Sequence, residues 1–135
     1  MTLDSSALLA VLFSEPGYLA LVDRMLEADT LRIGAPTLVE SSLVFESRAA
    51  GASRKKPTGG HARSAVHDLV KELGITIVPF GESEWHRAAQ AFAKYGRGRH
   101  RAGLNFGDCL SYATAAAAGD SLLYVGDDFR HTDLA

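Results

Sequence analysis

The chain opens with MTLDSSALLAVL at residues 1–12, which combines a short apolar start, an acid with two hydroxyls and a long apolar run. The start is too short for a helix and suits a strand, whereas the run that begins at Ala7 suits a buried helix. Asp4 then lies at a strand-to-helix junction. In an open parallel sheet such junctions fall at the carboxyl edge, where ligands bind. The alternative is that Asp4, Ser5 or Ser6 only caps the helix.

Three later acids stand in similar surroundings, each following or inside an apolar stretch. Carboxylates that follow different strands of a parallel sheet meet at one edge, where they repel one another unless a cation lies among them. Oxygen ligands favour hard ions such as Mg²⁺ or Mn²⁺, so the pattern indicates a metal site. These acids are Glu40 within residues 35–42, Asp108 within 105–113 and Asp127 within 122–129.

Two of these acids also have a structural explanation. Glu40 falls near the start of a predicted helix, where the helix dipole favours a negative charge. Asn105 and Asp108 have the spacing of a capping box, in which each side chain binds the other's backbone amide. From the residues alone, capping and metal binding both stay open as explanations.

The order and local sequences of the four acids resemble those of PIN-domain ribonucleases, most closely the VapC toxins of bacterial and archaeal toxin–antitoxin pairs. The resemblance runs from Asp4 to about Asp133, and its most specific string is Asn-Phe-Gly-Asp-Cys-Leu-Ser-Tyr-Ala at residues 105–113. It implies an α/β fold, with one PIN domain over residues 1–135. The expected architecture is an α/β/α sandwich around a central, mostly parallel sheet of four to five strands.

The resemblance also implies roles for individual residues. Asp4 and Asp108 would be the main ligands of Mg²⁺ or Mn²⁺, and Glu40 with a fourth acid would complete the catalytic pocket. Ser6 would form hydrogen bonds near the metal-bound waters or the scissile phosphate. Its alternative role is that of a hydroxyl at a helix start, which binds the backbone nearby.

The fourth acid departs from the common pattern of the family. When the last strand and Phe129 are aligned with the usual motif, Gly126 takes the position where the acid is often found. Asp127 follows one residue later, and we select it over Asp128 as the predicted fourth acid. A displaced acid at this point would weaken a second metal site more than the first.

Basic residues are concentrated in two windows that contain no acid, 47–67 and 85–107, although the net charge is only −2. Ten of the 14 Lys and Arg residues lie there. Such segregation builds a positive field beside an acidic pocket, as an enzyme acting on a polyanion requires. We predict that this field binds RNA through Lys55 and Lys56 in a Gly-rich loop and through Arg97, Arg99 and Arg101 in a second Gly-Arg turn. Solvated basic loops are the alternative.

Length and composition limit the remaining possibilities. A chain of 135 residues is one domain with room for a real core, and 47% hydrophobic residues with 22% charged ones are ordinary for a soluble α/β protein. The sequence contains neither an apolar run of membrane-spanning length nor a typical secretion signal, so we expect a cytoplasmic protein. Cys109 is the single cysteine, which excludes an internal disulfide, and we expect it to be a small core residue.

Hydrophobic periodicity and the positions of Gly and Pro predict the order of elements after the first helix. The strand at 75–80 is the clearest of the chain, because its β-branched and apolar residues are typical of a buried parallel strand. The other predicted elements are a helix from about 16 to 28, a strand at 31–35, a helix at 36–50, a basic loop at 51–60, helices at 61–73, 83–95 and 105–118, and a strand at 122–125.

The first functional hypothesis is therefore a metal-dependent endoribonuclease that acts as the toxin of a toxin–antitoxin pair. The resemblance further implies a homodimer and a small antitoxin that wraps the apolar helices and blocks the acidic pocket. A second hypothesis is a catalytically weak PIN-like module that binds RNA or protein. A third, an aspartyl-phosphate domain, fits poorly because residue 6 is serine and no lysine follows the last strand.

Overall fold

The computed structural model describes residues 1–52 and 60–134, which form four strands and six helices in the predicted order. Predicted bounds agree with the observed ones to within a few residues. Lys55, Lys56 and most of the predicted basic loop lie outside the described residues. The elements are β1 Thr2–Leu3, α1 Ser5–Leu12, α2 Tyr18–Leu26, β2 Arg32–Gly34, α3 Ala35–Ala52, α4 Gly60–Glu72, β3 Thr76–Val78, α5 Glu82–Tyr95, α6 Phe106–Ala118 and β4 Leu122–Leu123.

The four strands form one parallel sheet in the order β3-β2-β1-β4. Thr2 of β1 pairs with Arg32 of β2 on one side and with Leu122 of β4 on the other. The chain thus moves outward from β1 to β3 and then crosses to the far side of β1. A ligand site in an open α/β sheet lies at the carboxyl ends of the strands where this order reverses, here between β1 and β4.

Helices cover both faces of the sheet, which confirms the predicted sandwich. Adjacent residues of a strand point to opposite faces. Leu123 accordingly packs with residues of α1, α2 and α4, whereas Leu122 packs with residues of α5 and α6. Two hydrophobic cores result, one on each side, and Cys109 is buried in the second, as expected for a small core residue.

The prediction that the strand at 75–80 is buried was wrong. Only Thr76–Val78 form β3, which is an edge strand that pairs with β2 alone. Ile77 keeps 50% of its side-chain exposure. β-branched composition indicates that a segment is extended, but it does not determine the strand's place in the sheet.

Helices α1 and α2 differ in how they use their apolar residues. Helix α1 buries Ala7 and Leu8 in the first core, whereas α2 leaves Leu19 and Leu26 exposed by 63% and 70%. None of the helices in the described ranges is long and apolar enough to cross a bilayer.

Candidate active site

Asp4 directly follows β1 and is the N-cap of α1, so it lies at the predicted strand-to-helix junction and it also caps the helix. Its backbone amide donates to the Leu123 carbonyl of β4, 2.9 Å away. Oδ2 of Asp4 accepts from the Ser6 amide at 2.9 Å and from the Ser6 hydroxyl at 2.6 Å. The residue keeps only 4% of its exposure. The carboxylate is therefore held in one orientation at the switch point of the sheet.

Capping occupies only one oxygen of this carboxylate. Oδ1 of Asp4 is buried and has no hydrogen-bond partner among the described residues. A buried acceptor that is left unpaired costs roughly 1–3 kcal/mol, more if it is charged, and polar atoms of this kind require an explanation. A cation beside Oδ1 would satisfy it.

Glu40 extends from the second turn of α3 to the start of α6. Its carboxylate lies against Gly107, where a Cβ atom would overlap the carboxylate oxygens. Burial raises the pKa of Glu40; a polar contact with the Ser5 side chain opposes this rise, and the charge of Asp4 adds to it. Glu40 is therefore part of the same electrostatic environment as Asp4.

Asp108 occupies the third position of α6 and forms the predicted capping box with Asn105. The Asn105 amide donates to Oδ2 of Asp108 at 2.7 Å, and the Asp108 amide donates to the Asn105 side chain at 3.0 Å. Burial raises the pKa of Asp108 to about 6 against the hydrogen bond from Asn105, and the charges of Asp128, Asp4 and Glu40 add to the rise. Four carboxylates thus act on one another at this edge of the sheet.

The acid of the last loop whose charge raises the pKa of Asp108 is Asp128, whereas the sequence predicted Asp127 as the fourth catalytic acid, and that role stays a prediction. Asp127 forms an exposed ion pair with Arg130, at 3.6 Å between carboxylate and guanidinium. Asp128 is also exposed, but its charge acts on Asp108. Gly126, with φ of 101°, turns the chain after β4, directly before these two acids. Sequence spacing alone could not reveal this turn.

Ser6 connects the first helix to the loop after β4. Its hydroxyl donates to Asp4 and accepts from the Val125 amide at 3.0 Å. The two segments on either side of the switch point are thereby joined directly at the Asp4 carboxylate. The pattern Asp-Ser-Ser at residues 4–6 suggested a cap, and the link to Val125 is visible only in the tertiary structure.

The second basic turn lies directly before α6, the helix that carries Asp108. A bridge between Gly96 and Leu104 closes it, with the Arg97 amide donating to the Leu104 carbonyl at 3.0 Å. Arg97, Arg99 and Arg101 are all exposed, and Arg99 lies over the Phe92 ring, 5.5 Å from its centroid. The turn therefore presents three guanidinium groups to solvent.

Arg130 and His131, in the loop after β4, were not among the basic residues selected from the sequence. Burial lowers the pKa of His131, and the positive charges of Arg101 and Arg130 lower it further. The second Gly-Arg turn and the last loop thus share one positive field. A single arginine such as Arg130 carries no distinctive sequence signal, and only its effect on His131, shared with Arg101, links it to the second Gly-Arg turn.

The donor set fits a hard divalent cation in an open coordination mode. No three His, Cys, Asp or Glu side chains of the described residues form a ready set of ligands. Mg²⁺ commonly keeps several waters and takes one or two carboxylates together with substrate phosphates. The unpaired Oδ1 of Asp4 and the oxygen-only donors suit this mode. That Asp4, Glu40 and Asp108 bind the same ion stays a prediction.

Comparisons with known proteins agree with this architecture. The family model described as PIN domain matches residues 1–134. VapC ribonuclease Mb0640 of Mycobacterium bovis is 37% identical over 136 residues, which cover 100% of this chain and 96% of that protein. Ribonuclease VapC36 of Mycobacterium tuberculosis is 38% identical, with 99% and 91% covered. The chain belongs to the PIN-domain family.

A solved structure agrees with this architecture at the level of the fold. The crystal structure of VapBC2 from Rickettsia felis, bound to a DNA fragment from its promoter, matches with a TM-score of 0.69 over 98% of this chain and 92% of that one. The identity is 14%, so this likeness concerns the fold alone. Membership of the PIN family also excludes the aspartyl-phosphate hypothesis.

A first prediction tests whether Glu40 can lie against α6 only because Gly107 has no side chain. Alanine is favoured over glycine inside a helix by about 1 kcal/mol, yet at this position its Cβ would overlap the Glu40 carboxylate. We expect Gly107→Ala to lower both the free energy of unfolding and the affinity for Mn²⁺. Gly51→Ala in α3 is the matched control, because its Cβ would meet nothing within 4 Å. A stabilised Gly107→Ala protein would contradict this account.

A second prediction concerns the pH dependence of the metal-free protein. The pKa of Asp108 in the folded state, about 6, lies above its usual value of 3.8. The folded protein thus binds this proton more tightly, and stability falls as the pH rises from about 4 through 6. We expect Asp108→Asn to raise the free energy of unfolding by roughly 1–3 kcal/mol at pH 8 in EDTA, and less at pH 5.

Urea unfolding with and without Mn²⁺ checks this prediction. The cation should stabilise the wild type more than Asp108→Asn, so the wild type should become the more stable of the two proteins in Mn²⁺. Asp127→Asn is the control, since that carboxylate is exposed and pairs with Arg130. If Asp108→Asn were less stable than the wild type at pH 8 in EDTA, the carboxylate would not be the source of strain.

Proposed function

We propose that this protein is an endoribonuclease and the toxin of a toxin–antitoxin pair, with Asp4, Glu40, Asp108 and Asp128 as its catalytic acids. The observation that carries the proposal is the buried, unpartnered Oδ1 of Asp4 beside three other carboxylates at the switch point of the sheet. Full-length similarity to proteins named VapC ribonucleases, at 35–38% identity, supports the activity and the substrate class.

The acids have different tasks in this proposal. Asp4 and Asp108 would hold Mg²⁺ or Mn²⁺, and Ser6 keeps Asp4 in the orientation that presents Oδ1. When bound, the cation would lower the pKa of a water molecule and stabilise charge on the scissile phosphate. Glu40, whose pKa is raised by burial, is suited to accept a proton from the attacking water.

RNA would approach over the basic side of the pocket. Arg97, Arg99 and Arg101 offer forked donors for phosphate oxygens, and Arg130 adds a fourth guanidinium beside them. Lys55 and Lys56 stay in the proposal as sequence-based predictions. Phosphate contacts of this kind give affinity without sequence specificity. An RNA substrate agrees with the expected cytoplasmic location.

A large apolar groove opens beside Glu40 and suits a protein partner. Its volume is about 1320 Å³, and α3, α5 and α6 supply its walls. Val39, Leu43 and Trp85 in its lining remain 58–63% exposed. Apolar patches of this size on a soluble protein mark interaction sites. We propose that the antitoxin occupies this groove and thereby covers the acidic pocket, while the homodimer stays a prediction.

The groove proposal can be tested by copurification of this chain with the product of a small reading frame cloned from beside its gene. We expect Leu43→Asp to abolish copurification, since it places a charge in the wall of the groove. Ile77→Asp is the matched control, because this exposed residue lies on β3 and outside the groove lining. Retention of the partner by Leu43→Asp would place its binding surface elsewhere.

The second candidate function is a PIN-like module that binds RNA or protein without cleavage. Gly126 favours it, because a glycine stands where the fourth acid is often found in the family that the sequence resembles. Both candidates predict RNA binding through the same arginines. They differ in whether divalent cations produce cleavage.

A cleavage assay separates the two candidates. The purified protein is incubated with total RNA in Mg²⁺ or Mn²⁺, with and without EDTA. We expect Asp4→Asn, Asp108→Asn and Asp128→Asn each to reduce cleavage, by roughly 100-fold for the two metal ligands, and Asp127→Asn to behave as wild type. Folding of each variant is checked by thermal unfolding. A wild type that shifts RNA in a gel but never cuts it would support the binding module.

A further inference from the structure

Helix α3, with the glycine just before it, meets α6 at three close approaches, which we call the seam. A Cβ on Gly34, the residue just before α3, would lie 2.6 Å from the hydroxyl of Thr114. One turn on, the Thr37 and Ser111 hydroxyls lie 3.3 Å apart. The next contact is that of Glu40 with Gly107. From one of these positions to the next, the chain advances three residues towards and along α3 and goes back three or four residues along α6.

This spacing means that the two helices run antiparallel along the seam, with one contact per helical turn. Residues three or four apart lie on one face of a helix, so each acid shares its face with a seam residue. Thr37 precedes Glu40 by three residues, and Ser111 follows Asp108 by three. The hydroxyl contact therefore lies one turn from each acid.

The Thr37–Ser111 contact differs from the other buried hydroxyl contacts of these helices. Ser41 donates to the Thr37 carbonyl at 2.8 Å and Thr114 donates to the Leu110 carbonyl at 3.0 Å, each within its own helix. Only the Thr37–Ser111 hydrogen bond, among those described, links α3 to α6 through side chains. Thr37 and Ser111 keep 1% and 0% of their exposure, so water does not compete for it.

We propose that Thr37 and Ser111 are positioning residues that set the register of α3 against α6, and hence the placement of Glu40 relative to Asp108. This inference rests on the proposed function, because it assigns the pair a role in the activity of the acids. A slip of one residue along a helix moves a side chain by 1.5 Å along the axis. Displacements of this size are enough to disturb a catalytic constellation.

The test uses three changes at the pair: Ser111→Ala, Thr37→Val and the double variant. Ser41→Ala is the matched control, since it removes an equally buried hydroxyl of α3 that does not contact α6. Thr37→Ser is the conservative variant, since it removes the methyl group of Thr37 but retains the hydroxyl. Each protein is measured for Mn²⁺ affinity by electron paramagnetic resonance without RNA, for kcat and KM on RNA, and for unfolding in urea with EDTA.

We expect Ser111→Ala and Thr37→Val each to weaken Mn²⁺ binding and to lower kcat roughly tenfold, with little change in KM. The double variant should be no worse than either single one, because both remove the same interaction. Thr37→Ser should keep wild-type values. Ser41→Ala should lose some stability but keep both Mn²⁺ affinity and kcat.

Two results would overturn the inference. One is wild-type Mn²⁺ affinity and kcat in Ser111→Ala, and the other is an equal loss in Ser41→Ala, which would reduce the pair to ordinary packing. If the wild type binds Mn²⁺ but cuts no RNA, the proposed ribonuclease function fails and the Mn²⁺ affinities decide the positioning role alone. A wild type that does not bind Mn²⁺ overturns both proposals.

Discussion

Asp4 is held directly by Leu123 of β4 and by Ser6, and Ser6 is held in turn by Val125. Its amide bonds to β4, its Oδ2 accepts two hydrogen bonds from Ser6, and Ser6 in turn binds the amide of Val125. One oxygen remains buried without a partner. The loops that surround the pocket are arranged around this carboxylate, whose orientation depends on the central position of β1 in the sheet.

Burial among like charges makes this group of acids unfavourable in the metal-free protein. Asp108 carries a pKa of about 6, and Glu40 is shifted in the same direction. Folding energy supplied by the two hydrophobic cores offsets this electrostatic cost. The same arrangement makes the pocket receptive to a cation, because a positive charge relieves the repulsion and satisfies Asp4 at once. Strain in the metal-free state and affinity for metal have one cause.

Contact between α3 and α6 shows how small residues bring two acids together. Gly107 has no side chain, so Glu40 can lie against the first turn of α6. Thr37 and Ser111 continue the same seam with hydroxyls in place of bulky groups. Beyond Glu40 the surface changes to the apolar groove, so the pocket has a hydrophobic border on this side.

Local sequence determined the order of the elements, the α/β class, the three acids at positions 4, 40 and 108 and the capping box of Asn105 with Asp108. These features follow from periodicity, from hydrogen bonds between near neighbours and from the specific string at residues 105–113. The resemblance to PIN-domain proteins added the architecture and the chemistry. Asp127 was selected as the fourth acid by alignment, which counts residues and carries no information on which acid's charge acts on Asp108.

Only the tertiary structure decided three matters. It placed β3 at the edge of the sheet, brought the charge of Asp128 to act on Asp108, and joined α3 to α6 through Thr37 and Ser111. Each depends on segments that are distant in sequence and meet only after folding. Strand order, the exit angle of a loop and the register of two helices result from the packing of the whole chain, whereas a strand, a cap or a helix face follows from neighbouring residues.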